Sequence, residues 1–226
     1  MSSIAANRLK RELQELNRDS NKCTDASDHC PPKPEADNFS VRLLDSSMFH
    51  LEAEIAGPPD TPYANGRYRL DIRIPDRYPF VPPSVRFVTR IWHPNISSQT
   101  GVICLDILKD KWAAAMTIRS VLLSIQILLE DAQANNPQDA VVAGQFKRNL
   151  KLFNQTAAFW NAAFARRSNN DGPILPENRP KDKFPEFECK ISQLKQQTTQ
   201  PTIPDEKLIV ALSLNDWDVK KTLNAM

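Results

Sequence analysis

Apolar residues recur along this chain with two different periods, and the changes of period mark out its architecture. Between residues 3 and 17, Ile4, Leu9, Leu13 and Leu16 follow one helical stripe, with Ser2 or Ser3 placed to cap it. Arg8, Lys10, Arg11 and Glu12 occupy the other face, which suits either solvation or docking. Residues 20–37, SNKCTDASDHCPPKPEAD, are polar and proline-bearing, the composition of a loop. A period of two follows. Phe39, Val41 and Leu43 alternate with polar residues, as do Phe49, Leu51, Ala53 and Ile55, then Tyr68, Leu70, Ile72 and Ile74. SVRFVTR supplies a fourth run. Short connections such as GPPDTPYANG favour an antiparallel meander with one face buried under helices.

After Trp112 the helical period returns. Thr117 is placed to cap a helix through Leu129, whose apolar face is Ile118, Val121, Leu122, Ile125 and Leu128. Two further helices fit PQDAVVAGQFKRN and LKLFNQTAAFWNAAFARR. Residues 167–183 carry prolines and charges with few apolar residues, as a linker does. Three short helical patches end the chain. The predicted fold is α/β of the α+β kind: a four-stranded antiparallel sheet with flanking helices over residues 1–166. A linker at 167–183 and a small three-helix domain at 184–226 complete it.

Composition narrows the function. With 29 Lys+Arg against 27 Asp+Glu, net charge makes no case for nucleic acid. No apolar run approaches the ~20 residues a membrane helix needs, and MSSIAANRLKREL lacks the apolar centre of a signal peptide. A soluble protein of the cytoplasm or nucleus is expected. Four cysteines are too few for a disulfide scaffold of this size. Cys23, His29 and Cys30 lack the tight C-x2-4-C pairing of zinc sites, and there is no C-x-x-C redox pair. No bound metal is expected.

Cys104 is left to be explained. The segment from Arg90 to Trp112 has no sustained period, yet it is rich in Ile, Leu and Trp, and long irregular segments packed onto a domain usually have a job. Pro94 fixes the backbone before Asn95, and Gly101 permits a tight turn just before Cys104. A thiol ionised only in part still serves as a nucleophile toward an activated acyl group. Asn95 suits two roles, donating its amide to a developing oxyanion or tying down the loop. A cysteine hydrolase would need a histidine base beside the thiol. Of the three histidines, His29 lies in the polar loop, His50 falls mid-strand, and His93 precedes Pro94 and reads as a structural hydrogen-bonder.

PYANGRYRLDIRIPDRYPFVPPSVRF and HPNISSQTGVICLDILKDKW resemble the core signature of the ubiquitin-conjugating enzymes, over roughly residues 4 to 165. The trailing segment resembles a ubiquitin-associated domain, and with IAGPPDTPY and PQDAVVA the chain is similar to the subfamily that carries one. The resemblance implies that Cys104 accepts the carboxy terminus of ubiquitin as a thioester and passes it to a lysine, building chains linked through lysine 48 of ubiquitin. His93 and Pro94 would lock the loop. Asn95 would support it and stabilise the oxyanion, and Leu105, Asp106 and Asn136 would shape the acceptor groove. Arg8, Phe80, Ala114 and Ala115 would meet the activating enzyme and ligases of the RING type. The implied partners are these, ubiquitin and protein substrates, with no nucleic acid or membrane. A monomer without bound cofactor is implied, ATP being used by the activating enzyme.

Three departures from the family pattern stand out. Ala113, Ala114 and Ala115 replace a common Ser-Pro-Ala loop. Asn136 replaces the acidic residue often found before Pro137, which predicts weaker intrinsic lysine reactivity, recoverable with a ligase. QQTTQPTIP, residues 196–204, replaces the Met-Gly-Phe-type loop through which such tails bind ubiquitin, with Ile203 its one apolar contact. The tail is therefore expected to fold but to bind ubiquitin feebly, and its deletion to leave thioester formation intact. The rival readings are a carrier of another ubiquitin-like modifier and a non-catalytic ubiquitin-binding adaptor.

Overall fold

The alternating runs become four strands, β1 (Phe39–Leu43), β2 (His50–Ala56), β3 (Arg67–Arg73) and β4 (Ser84–Phe87), paired antiparallel in chain order. The computed structural model describes residues 4–21, 39–45, 48–166, 176–198 and 203–226. Register sets Ala53 opposite Leu70, and Leu70 opposite Phe87. Successive side chains point to opposite faces of a sheet, so Leu51, Ala53, Ile55, Tyr68, Leu70, Ile72, Val85 and Phe87 form one buried face. The other face is charged: Asp71 accepts from Arg86 at 3.0 Å and bonds His50, while Arg42 donates to Glu52. The edge strand β1 departs from its pattern. Phe39 and Val41 are only half-buried and Leu43 is exposed, because the first strand of the sheet is covered less fully than the inner ones.

Helix α1 (Ile4–Asn21) runs four residues past its predicted end. Helix α2 (Ile118–Glu130) lays Val121, Leu122 and Ile125 into the core. Thr117 caps it as predicted: its hydroxyl accepts from the Ser120 amide, and the Ser120 hydroxyl accepts from the Thr117 amide. A second cap comes from far away. The buried Glu12 carboxylate accepts from the Ile118 amide (2.8 Å), from the Tyr78 hydroxyl (2.8 Å) and from Arg8. Helix α3 (Ala140–Arg148) is capped by Asp139, and α4 (Leu150–Trp160) continues into a π-helical turn at Asn161–Ala165.

The tail forms α5 (Pro185–Gln197), α6 (Asp205–Leu214) and α7 (Val219–Ala225). Its apolar stripe is shared with the first unit. Trp217 stacks on Phe187 at 3.9 Å between ring centroids, meets Phe159 of α4 edge-on, and donates its indole N–H to Thr156 at 3.0 Å. Trp160 likewise donates to Ser213 at 2.9 Å. Asp216 and Trp217, which turn the chain between α6 and α7, have φ of +52° and +61°.

Of the expected linker, residues 167–175 lie outside the described residues and residues 176–183 are described. Residues 176–178 and 181–183 are short 3-10 turns, and between them Arg179 is buried. Its guanidinium forks onto both Glu188 oxygens (2.6 and 2.7 Å) and reaches Asp205 at 2.7 Å. Glu177, Asn178 and residues 181–183 stay exposed, as in a linker, while Arg179 is packed inside with its charge neutralised.

Candidate active site

The path from β4 to α2 is irregular because its backbone bonds go to turns and to distant segments. Gly101, at φ +74°, closes a turn in which its amide donates to Ser97 and its carbonyl accepts from Phe87. A Cβ there would stand 2.0 Å from the Phe87 carbonyl oxygen, so this position requires glycine. An isolated bridge pairs Ile96 with Ile103, and the Cys104 amide donates to the Asn95 carbonyl at 2.8 Å. The cysteine is thereby fixed beside the His93-Pro94-Asn95 turn.

His93 is wholly buried. Its Nδ1 accepts from the Asn95 amide at 3.0 Å, so its protonated Nε2 donates to the Leu128 carbonyl at 3.0 Å. Burial pushes this imidazole down to about 4. The ring is a neutral bracket between the loop and α2. His50 lies on the charged outer face of the sheet, and no described histidine bonds Cys104. His29 lies outside the described residues, as do Cys23 and Cys30.

The bracket has a consequence for pH dependence. The folded value lies below the ~6.5 of an unfolded histidine, so the unfolded chain binds the extra proton in the interval between them. This contribution is fully present above about pH 6.5 and is lost as pH falls toward 4, by roughly 3 kcal/mol at the limit. Urea unfolding at about pH 7 and pH 4.5 is expected to show the loss, with a shallower slope in His93→Gln.

The side chain of Asn95, also buried, spends all its hydrogen-bonding groups on the segment before α3. Its Oδ1 accepts from the Gln133 amide at 2.8 Å, and its Nδ2 donates to the carbonyls of Gln133 and Asn136, both at 3.0 Å. The Pro94 carbonyl holds the same segment through the amides of Gln138 and Asp139. An oxyanion could draw on Nδ2 only after one of those carbonyls let go.

An open groove of about 520 Å³ lies over Cys104, lined by Asn95, Leu105, Asp106, Lys109, Gln133 and Asn136 among others. The thiol is half-buried. Asp106 begins a one-turn 3-10 helix, Asp106–Leu108, and its carboxylate binds Lys111 at 2.5 Å. That hydrogen bond holds the carboxyl below the usual aspartate range. Lys109, just past the turn, lies 3.5 Å from the Cys104 sulfur.

The residues expected to meet other proteins converge elsewhere. Phe80 is 66% exposed, and Ala114 and Ala115 are exposed beside it. Trp112 ties the two loops by donating to the Pro79 carbonyl at 2.7 Å. Arg8 is largely occupied internally, by Glu12 and by the Met116 carbonyl at 3.1 Å.

Sequence reasoning missed Glu12, Gln133 and Lys109. Gln133 acts through its backbone and leaves no side-chain signal, and Glu12 hides in an ordinary helical charge pattern. Lys109 could have been found, since a turn immediately after Cys104 brings the following lysine back toward it. Among the described residues, no group of three or more His, Cys, Asp or Glu side chains could hold a metal. None of the described helices is long and apolar enough to cross a membrane.

The ubiquitin-conjugating enzyme family profile matches residues 8–161. The "Ubiquitin-conjugating enzyme E2 K" of Homo sapiens is 46% identical over 220 residues, covering 97% of this chain and 96% of its own. The "Ubiquitin-conjugating enzyme E2-22 kDa" of Drosophila melanogaster is 44% identical over 226 residues, 100% of this chain and 99% of its own. Among solved structures, a Toxoplasma gondii ubiquitin-conjugating enzyme E2 domain superposes with a TM-score of 0.62 at 44% identity, covering 71% of this chain and 98% of its own. A putative ubiquitin-conjugating enzyme from Plasmodium yoelii does so at 0.64 and 43%, covering 74% and 99%. The solved domains thus match the sheet and its helices, while the full-length relatives extend through the tail. This chain belongs to the ubiquitin-conjugating enzymes, in the branch that carries a carboxy-terminal ubiquitin-associated helical unit.

Proposed function

We propose that Cys104 is the residue that carries ubiquitin. The observation behind this is its half-buried thiol at the floor of an open groove, on a loop tied down by His93 and Asn95. The thiolate attacks the carbonyl of the ubiquitin thioester held by the activating enzyme, forming a new thioester and releasing that enzyme's thiol. A lysine amine then attacks the same carbonyl, an amide forms, and the Cys104 thiolate leaves. The acyl group is already activated, so no histidine base is required. This agrees with His93 being neutral, buried and turned away.

The groove is the path for the incoming lysine. Asn136 lines it and can orient the amine by hydrogen bonding, but cannot accept its proton as a carboxylate does. Asp106, tied to Lys111, lines the same groove with its charge compensated by the lysine. Phe80 with Ala114 and Ala115 offers the surface for the activating enzyme and RING-type ligases. The protein works as a monomer without bound cofactor, ATP being used by the activating enzyme, and builds chains linked through lysine 48 of ubiquitin in the cytoplasm or nucleus. Linkage-resolved mass spectrometry of the product and charging assays with other ubiquitin-like modifiers test the product and the modifier.

Asn95 acts here by holding the Gln133–Asn136 segment over the groove. Asn95→Ala is expected to charge nearly normally but to discharge to free lysine at least ~10-fold more slowly, about 1.4 kcal/mol of barrier. Single-turnover discharge decides it, on protein whose unfolding midpoint is also measured. Equal rates would remove Asn95 from the transfer step.

A further inference from the structure

The Asp106 carboxylate already holds a lysine. Asp106 and Asp110 are the two carboxylates that line the groove beside Cys104, where Asn136 brings only a neutral amide. The Oδ2 atom of Asp106 meets the Lys111 ammonium at 2.5 Å. That hydrogen bond is the largest of the effects that lower the Asp106 carboxyl below its ordinary range. The backbone keeps the pair together. The Asp106 carbonyl accepts from the amides of both Lys109 (2.9 Å) and Lys111 (3.1 Å), so the chain after the one-turn helix folds back over residue 106. Trp112 anchors this return, donating its amide to the Lys109 carbonyl (3.3 Å) and its indole to the Pro79 carbonyl (2.7 Å). Lys111 itself is 73% exposed and is not one of the residues lining the groove; it reaches the groove only through Asp106.

We propose that Lys111 is a specificity-determining residue of the transfer step: its ammonium stands in for that of the acceptor lysine at Asp106, so an incoming lysine must compete for the carboxylate. This rests on the reading of Cys104 as the carrier and of the groove as the acceptor path. An acceptor lysine, with an unperturbed pKa of ~10.4, arrives mostly as the ammonium, which an unoccupied carboxylate in the groove attracts. Lys111 presents the same charged group from a backbone already tied to Asp106, and so binds without the loss of freedom that an incoming amine suffers. Exposed ion pairs are weak, so the competition amounts to a few-fold in acceptor capture rather than orders of magnitude. Its consequence is selectivity. Free lysine has no other hold on the enzyme and is held back, whereas a lysine presented by a docked protein gains its affinity elsewhere.

The test loads the full chain with ubiquitin through activating enzyme and ATP, removes ATP, and follows loss of the reductant-labile adduct at neutral pH. Discharge to free lysine is compared with discharge to hydroxylamine, an amine nucleophile that is uncharged at neutral pH. In Lys111→Gln the ratio of the lysine rate to the hydroxylamine rate is expected to rise at least threefold. Lys111→Arg, which keeps the ion pair, is expected to match the parent. The rise is expected to shrink below twofold in high salt, which screens exposed charges, and in the Asp106→Asn background. A loosened loop would speed or slow both nucleophiles together and would not depend on salt. An unchanged ratio in Lys111→Gln, or a rise that persists in the Asp106→Asn background, overturns the competition while leaving Cys104 as the carrier. Absence of any labile adduct in the parent overturns that reading and the proposal with it.

Discussion

Cys104→Ser is expected to abolish the reductant-labile ubiquitin adduct and to leave only a slowly formed, reductant-resistant ester. A serine hydroxyl is a poor nucleophile unless a neighbouring base takes its proton. Among the described residues no histidine serves that role: His93 is buried with both ring nitrogens engaged, and the amide of Asn95 is engaged by Gln133 and Asn136. Cys104→Ala is expected to form no adduct. Cys189 lies exposed on α5 among the tail residues, so Cys189→Ser is expected to charge as the parent does. A labile adduct persisting at parental yield in Cys104→Ser would refute the assignment.

The second large effect is expected at Trp217. It is 1% exposed, stacked on Phe187, set edge-on to Phe159, and hydrogen-bonded to Thr156. Trp217→Ala removes that contact area and leaves a cavity between α4 and the tail, at a cost of about 3–5 kcal/mol. For a chain of this size the loss corresponds to a fall in Tm of roughly 10 °C. Calorimetry of the parent is expected to show one transition for the sheet unit and the tail together, since they share a core. A Trp217→Ala protein with unchanged Tm, or a parent that melts in two separate steps, would show that the tail is merely tethered. Cutting the chain after Lys183 exposes Phe159 and Trp160 as well, so that truncation is expected to be less stable and less soluble. Thioester assays on it therefore report on folding as well as chemistry.

Period carried most of the fold. The alternation of Leu51, Ala53 and Ile55, and the stripe of Ile118, Val121, Leu122 and Ile125, named both the elements and their buried faces. The Thr117 cap was equally legible, because its partner lies three residues away. What the pattern does not state is the partner of a buried face. The apolar positions around Trp217 imply a core, and the structure shows that core to be shared with Phe159 and Trp160 of α4. Arg179 falls in a stretch that reads as linker because a charged residue is ordinarily solvated, and its two carboxylate partners lie 9 and 26 residues away. Asn95 illustrates the same limit within the site. Its residue type allowed two roles, and only the position of Gln133, 38 residues on, shows where its amide points.

The turn between α6 and α7 depends on a neighbour. Asp216 and Trp217 both lie in the left-handed region, which disfavours side chains with a Cβ by about 1–3 kcal/mol each. Each is held there by a group outside the tail: Asp216 by Gln145 at 3.0 Å and Arg148 at 3.0 Å, Trp217 by Thr156 and Phe159. Gln145 in turn accepts from the indole of Trp92, the residue immediately before His93. Undocking removes these contacts and leaves the turn to bonds within the tail, the Trp217 amide on the Leu212 carbonyl (2.7 Å) and the stacking of Trp217 on Phe187. The turn of the tail is thus joined, through one buried amide side chain, to the residue leading into the active-site loop.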